Sequence, residues 1–381
     1  MKQNGQFMSM VIDLIRINPP GSAQIISVAL CRSGSGPMGG MMDDLGFGTR
    51  DKRGIWAPNA PLEIAPFWTG KFSMLGKWLI GYVWPFNTVF MAVTLFYWFV
   101  VLPDWVAMQS FSAGWILRLL VANALGILLL NGSVELFYYV RRRQGTRFKY
   151  NPKFPAEHPS DVFWFKSQNI DNALRTFLIT VPIWTLIEAF TLWAFANGYG
   201  IWLGPETHWL WLAILILLAP AIHEVHFFCG HWLLHRRHLY KYIHSIHHNS
   251  INPSPWSSMS MHPVEGAFFI SEILWHLLIP SNPFVALFQV TNTAFGAIVG
   301  HIGFDKLELN EDTALDSHAY THYLHHKYFE VNYGGDGLIP LDKWFGTWHD
   351  GTKDSDELLK ARFHKKRDRA NARKGRGIAA D

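Results

Sequence analysis

Apolar and polar positions divide this chain into long blocks. From Trp78 to Pro103 no side chain is charged. A second block, "LLVANALGILLLNGSV", lies between Arg118 and Glu135. A third runs from roughly Thr176 to Ala196 around Glu188, and a fourth from roughly Trp209 to Phe228 holds His223 and Glu224. A helix needs about 20 residues to cross a bilayer core. The first block is long enough, and the second spans if its ends snorkel. Pro85 is expected to kink the first. Two shorter runs follow, "AFFISEILWHLLI" and "FVALFQVTNTAFGAIVG". The first of these is too short to span alone, and together they predict a tight hairpin or re-entrant pair that closes over a site. The pattern predicts an all-α, polytopic membrane helix bundle of about four spans plus this short hairpin, carrying a histidine-rich helical cap.

Composition supports a membrane chain with a substantial polar part. Apolar residues make up 49% of the 381 and charged residues 16%, against about 25% charged in an average globular chain. The 18 tryptophans suit the membrane–water interface, and "IWLGPETHWLWL" reads as an aromatic belt on the outer face. Mean hydropathy is only +0.08, so a polar region must accompany the spans. The two cysteines, Cys31 and Cys229, argue against a disulfide framework, a Cys-ligated zinc site and an iron–sulfur cluster. No cleavable signal is expected, because "MSMVIDLIRI" is interrupted by Asp13 and Arg16.

The net charge of +4 matters less than where the charges lie. "RRRQGTRFKY" follows the second span, "RRHLYK" the fourth, and "KARFHKKRDRANARKGRG" forms the tail. Loops after the first and third spans carry almost no Lys or Arg. By the positive-inside rule the basic segments face the cytoplasm, and four spans bring them to one side. The expected divisions are a flexible arm over 1–70, a transmembrane region over 71–230, a histidine-box region over 231–350 and a basic tail over 351–381. The tail is read as a solvated, partly helical segment near lipid headgroups, and nucleic acid is not an expected partner.

The candidate chemistry lies in histidine. "HWLLHRRHLYKYIHSIHH" places six in eighteen residues, directly after the fourth block. His231 and His235 are four apart, which puts both rings on one helix face. His244, His247 and His248 stand at i, i+3 and i+4, and His322, His325 and His326 repeat that spacing. His301 ends an apolar run and is a ninth candidate. His318 precedes His322 by four and shares its face if the helix extends that far. His262 precedes a proline, as either a ligand or a turn cap. Four ligands saturate a tetrahedral ion, so this number fits two ions. Imidazole suits Zn, Cu, Fe and Ni alike.

The order HxxxH, HxxHH, HxxHH resembles the fatty acid hydroxylase / sterol desaturase superfamily of integral-membrane di-iron enzymes. Two flanking segments are also similar. "HSIHHNSINPSPWSSMSMHPVEG" carries His262, Pro263 and Glu265. "HYLHHKYFEVNYGGDGLIPLDKWFGT" carries Asn332, Tyr333, Gly334, Asp342, Phe345, Gly346 and Thr347. Trp232 departs from the arginine common at that position. The resemblance covers about 225–350. It implies that His231, His235, His244, His247, His248, His322, His325 and His326 are catalytic metal ligands and that His301 joins them. It implies two iron ions (Fe2+/Fe3+), O2 as co-substrate and hydroxylation or desaturation of a lipid drawn from the bilayer. Electrons would come from a separate donor, such as a cytochrome b5-like protein, a ferredoxin or a reductase, since no haem domain is expected within the chain. The membrane would be a bacterial inner membrane or an ER-type membrane, with the active site on its cytoplasmic face.

Outer partners should hold each ligand's tautomer, and Glu265, Asp342 and Asp316 are the candidates. Glu188, His223 and His226 lie at membrane depth, where ionisable groups are functional candidates. His208, His238 and His349 read as surface or interfacial. Rival readings are a zinc-dependent membrane lipid hydrolase, which needs three histidines and a water, and a metal transporter, which expects ionisable groups stepped across several spans. Substrate identity stays open among sterol, fatty acyl, sphingoid, ether-lipid and carotenoid-like classes.

Overall fold

The computed structural model describes residues 43–155, 158–335 and 337–375. Among the described residues five helices are long and apolar enough to cross a membrane. Four match the expected blocks: α1 (Phe72–Val101), α2 (Ala113–Val140), α3 (Gln168–Ala196) and α4 (Pro205–Leu234). α1 is broken at Trp84–Pro85, where Trp84 is extended. α2 shows why these helices need lipid. Its buried residues Trp115, Leu119, Asn123, Ile127 and Asn131 recur every four positions along one stripe, while Leu117, Val121, Leu125 and Leu129 stand exposed. An apolar helix surface of that extent is not tolerated in water.

The fifth qualifying helix comes from the predicted hairpin, which runs deeper than the sequence suggests. After a short turn (Ser245–His248, α5), the chain enters α6 (Pro263–Ile270), continues through broken helical turns to Leu278, and returns as α7 (Pro283–Gly300). At the hairpin tip Ser281 pairs with Trp202 in the loop between α3 and α4, and Leu203 N donates to the Ser281 carbonyl at 2.7 Å. The hairpin therefore reaches the far end of α3 and α4. At 1.5 Å per residue the 18 residues of α7 span about 27 Å, close to the thickness of a hydrocarbon core. α7 is 78% buried and packs on α1, α3 and α4. It forms the centre of the bundle instead of a lid over it.

Polar contacts inside the bundle join helices in pairs. Asn123 on α2 donates to Glu188 on α3 at 2.8 Å. Glu272 in the hairpin accepts from Gln289 on α7 at 2.9 Å and pairs with His223 Nδ1 on α4 at 2.8 Å. With no water at that depth, each such group needs a protein partner.

α7 ends at the histidine-rich face. A short ladder follows, β3 (Lys306–Glu308) against β4 (Ala314–Asp316), then α8 (Tyr320–Tyr328) and the tail helix α9 (Lys353–Gly375). Arg147, after α2, forks onto Glu308 at 2.8 and 2.6 Å. Within the expected arm over 1–70, residues 43–70 pack against the rest of the chain. There β1 (Gly48–Arg50) pairs with β2 (Trp56–Pro58). Trp56 is fully buried against Phe148 and Tyr150, and Trp68 donates to the Leu338 carbonyl at 2.8 Å. The segment "MSMVIDLIRI" lies outside the described residues.

Candidate metal centre

Nine histidines converge in two groups. Ligand nitrogens of His231, His235, His244, His248 and His325 lie within 4.8 Å of one another, and so do those of His247, His301, His322 and His326. We call these groups A and B. Helical spacing explains the division. Each residue turns a helix by about 100°, so i and i+4 nearly coincide while i+3 falls on the other side of i. His231/His235 and His244/His248 are i, i+4 pairs and both enter group A. His322/His326 is the i, i+4 pair of group B. The i+3 members cross over, His247 to group B and His325 to group A. Each His-His dipeptide thereby serves both groups. His301, which caps the C-terminal end of α7, completes group B.

The tautomers follow from the outer contacts. His231 Nδ1 lies 2.8 Å from the Tyr333 carbonyl, His325 Nδ1 2.6 Å from that of Val331, and His301 Nδ1 2.7 Å from that of Ala297. His244 Nδ1 lies 2.7 Å from Glu265 Oε1. Each Nδ1 must therefore carry the proton, which leaves Nε2 as a bare lone pair. Yet the Nε2 atoms face one another: His231 to His244 at 3.0 Å, His248 to His325 at 3.1 Å, His322 to His301 at 3.1 Å and His326 to His322 at 3.1 Å. Between His231 and His244, each with its proton on Nδ1, the opposed lone pairs repel unless a cation lies between them. A first-row metal at about 2.0–2.1 Å from each imidazole sets neighbouring nitrogens roughly 3.0–3.4 Å apart, which is the observed range. These residues fit a metal ion in each group.

Burial keeps the rings neutral. It pushes His244 down to about 3, His325 to about 3 and His247 to about 4, from an ordinary 6.5. Burial, then neighbouring imidazoles, hold His248, His322 and His326 well below the ordinary value too. Group A sits at the C-terminal end of α4 and group B at that of α7, where the helix dipole favours a cation. Neither group contains a carboxylate.

The outer partners come mostly from the main chain. Asn332 has φ +52, a left-handed conformation that Asn tolerates. Its side chain holds the bend, accepting from His349 N at 2.8 Å and donating to the His349 carbonyl at 3.0 Å. That bend aims the carbonyls of Val331 and Tyr333 at His325 and His231. Asp342 fixes the same loop by accepting from Tyr333 N at 2.9 Å, Gly334 N at 2.7 Å and Thr347 Oγ1 at 2.6 Å. Glu224 accepts from Gly337 N and Ile339 N, both at 2.7 Å, and ties this loop to α4. No side-chain pattern marks the acceptors Tyr333, Val331 and Ala297, because a carbonyl belongs to every residue. The one available signal was Asn332, an asparagine beside Gly334 and Gly335.

Several candidates are not brought to either group. α8 begins at Tyr320, so His318 precedes the helix, with φ +57 and an exposed side chain. His262 caps α6, its Nδ1 accepting from Val264 N at 3.2 Å. Asp316 pairs with Lys306 instead of a histidine. His226 is stacked on Phe268 at 4.4 Å and accepts from Trp275 Nε1. His349, expected at the surface, is buried and stacks on Tyr328. His208 and His238 are exposed.

A narrow cleft with room for about one water molecule opens beside group A, between α4 and α6. Phe227, Met261, Phe268 and Phe269 make it apolar, and His231 and Glu265 are its polar wall. The arrangement offers a metal centre at the end of an apolar slot within the bundle.

Comparison with known proteins matches this region. Residues 212–347 match the family described as Fatty acid hydroxylase, a range that contains both groups. A Delta(7)-sterol 5(6)-desaturase of Gibberella zeae is 31% identical over 132 residues, 34% of this chain and 40% of that protein. A second from the same organism is 33% identical over 129 residues, 32% of this chain and 34% of that protein. One from Aspergillus fumigatus is 25% identical over 258 residues, 61% of this chain and 75% of that protein. The chain thus spans less than half the length of the two Gibberella relatives. No solved structure gives a significant match. The nine histidines and their flanking segments all lie inside this matched region, which is similar to fatty acid hydroxylases and to sterol desaturases.

Proposed function

We propose that this chain is an O2-dependent membrane oxidoreductase that hydroxylates or desaturates a C–H bond of a lipid, with a sterol as the favoured substrate class. The observation that carries this is the set of nine converging imidazoles, whose Nε2 atoms face one another in two adjacent groups. His231, His235, His244, His248 and His325 would hold one iron ion and His247, His301, His322 and His326 the other. Bound iron would supply O2 activation and one-electron chemistry at an unactivated C–H bond, which acid–base groups cannot attack. The sterol class is favoured by the printed names of the relatives.

The chain's own residues do the rest. The Tyr333, Val331 and Ala297 carbonyls and Glu265 keep protons on Nδ1, so that Nε2 stays a ligand. Phe227 lies against His231 at 4.5 Å and with Phe268 and Phe269 excludes water from the slot beside it. The seam between α4 and α6 would admit substrate from the bilayer. Hydroxylation consumes O2, two electrons and two protons and releases one water; desaturation consumes the same and releases two. The electrons would come from a separate donor protein. Basic residues at the histidine-rich end, Arg141 to Arg143 and Arg236, Arg237 and Lys241, support a cytoplasmic site.

The test is metal analysis of the purified chain together with lipidomics of host cells with and without the gene under 18O2. About two irons per chain and a lipid that gains a hydroxyl or a double bond are expected. Zinc with a hydrolysed lipid, or metal flux without any lipid product, would refute the proposal.

A further inference from the structure

An aromatic patch lies open on the outside of the chain, where the start of α1 meets the end of α4. Phe67, Trp68 and Phe72 are 36%, 44% and 66% exposed, and Trp344 and Phe345 are 60% and 62% exposed. The rings form one surface. Phe67 lies 5.4 Å from Trp68, Trp68 lies 5.4 Å from Trp344, and Phe345 lies 5.2 Å from Phe228 on α4. A contiguous exposed apolar patch marks an interaction surface. Its position says what covers it. Phe72 opens one candidate span, and Phe228 ends the apolar run of another. Val225 and Leu218, the exposed residues of α4 below Phe228, are apolar too. The patch therefore continues the lipid-facing surface at its histidine-rich end. Tryptophan favours that level, with its ring in the acyl boundary and its N–H on a polar partner. Trp68 meets this by donating to the Leu338 carbonyl. Lys71, Lys77 and Lys343 are exposed around the patch, as cations that snorkel toward lipid headgroups are.

We propose that Phe67, Trp68, Phe72, Trp344 and Phe345 form a platform seated in the headgroup region of the bilayer, and that this seat holds the loop that orients His231. The link runs through the main chain. Trp344 closes the short helix Leu341–Trp344. Within that helix Asp342 accepts from Tyr333 N and Gly334 N. Just after it, Thr347 N donates to the Asp342 carbonyl at 2.7 Å, and Asn332 N donates to the Thr347 carbonyl at 2.9 Å. The Tyr333 carbonyl in turn takes His231 Nδ1. A bilayer that grips Trp344 and Phe345 thereby fixes an outer partner of group A. These aromatics are positioning residues. The link to group A rests on the metal reading above; the seat in the bilayer does not.

The experiment uses the full chain, with Cys31→Ser and Cys229→Ser, in bilayers of phosphatidylcholine and phosphatidylglycerol. A nitroxide is attached at Phe72→Cys or Phe345→Cys. Its collision rate with O2, which concentrates in lipid, is compared with that for a water-soluble nickel chelate. Leu125→Cys on the exposed face of α2 supplies the ratio for the lipid core, and Asn310→Cys in an exposed turn supplies the ratio for water. Both platform labels should fall between these references. Ratios at the Asn310 level, or broadening between labels that shows a second copy on the patch, would overturn the proposal. Metal retention tests the link. Phe345→Asp should weaken it about tenfold or more, the scale of losing an outer partner. Phe345→Trp keeps an interfacial ring and should match the unmodified chain. Unchanged retention in Phe345→Asp, or equal loss in Phe345→Trp, would overturn the link. If Phe345→Asp does not fold, the labels and Phe345→Trp decide. An unmodified chain that holds no metal would refute the metal reading instead, and the labels would still decide the seat.

Discussion

His325 and His326 are chain neighbours that belong to different groups, and removing them should have unequal effects. Group A has five nitrogens and group B four. His325→Ala leaves four in group A, still a complete tetrahedral set, whereas His326→Ala leaves three in group B. Losing an outer partner alone costs a metal site 10- to 100-fold in affinity. Losing a direct ligand from the smaller group should therefore cost at least about 100-fold, or ~2.7 kcal/mol. Metal content after dialysis against a weak chelator is the assay. His325→Ala should keep close to two ions per chain and His326→Ala about one. The double variants are sharper. His248→Ala with His325→Ala removes two members of group A and should spare group B. His326→Ala with His325→Ala leaves four nitrogens in group A and three in group B, and should keep about one ion, as His326→Ala does alone. If adding His325→Ala to His326→Ala strips the remaining ion, the assignment of ligands to groups is wrong.

Two further outcomes follow from the packing and from burial. A Cβ at Gly230 would lie 1.8 Å from the Phe268 ring, which His226 pins by stacking at 4.4 Å. Gly230→Ala should destabilise by about 1–3 kcal/mol in denaturant titrations in detergent, and Phe268→Ala should recover part of the loss; an unaltered midpoint for Gly230→Ala would contradict this packing. The metal-free chain should lose stability as pH falls from 6.5 toward 4. In that window the unfolded chain binds protons that native His244, His247 and His325, held near 3 to 4, do not, at about 1 kcal/mol per pH unit for each. Glu265, raised to about 8 by burial, opposes this because it binds its proton more tightly when folded, but it is one group against several. A flat profile between pH 4 and 6.5 would show that these rings are solvated.

The membrane helices and the eight boxed histidines were legible because both depend on local spacing. A run without charge reads as a span, and i, i+4 places rings together whatever the rest of the chain does. The division into two groups was less legible, since i+3 and i+4 both count as one face until a second centre exists to separate them. His262 and His318 failed for local reasons that spacing alone does not reveal. Proline set a helix start just after His262, and a left-handed residue delayed the start of α8 past His318. The ordering of residues 43–70 was hidden because Trp56 finds its partners, Phe148 and Tyr150, about ninety residues away. Hairpin depth was hidden in the same way: it is fixed by contacts such as the Trp202–Ser281 pairing, about eighty residues apart in the chain. Glu265 could be named from sequence as an outer partner, but its bare second oxygen is visible only in three dimensions.

Because each His-His dipeptide feeds both groups, the two groups share a single rotational setting. Sliding α8 by one residue turns its side chains through about 100°. The imidazoles meant for one group would then point past it, and neither group could be rescued at the expense of the other. Single-residue insertions or deletions within Tyr320–Tyr328 should thus disrupt both groups together. The exposed turn around Asn310, Glu311 and Asp312, only a few residues upstream, lies outside the helix and is free to vary in length.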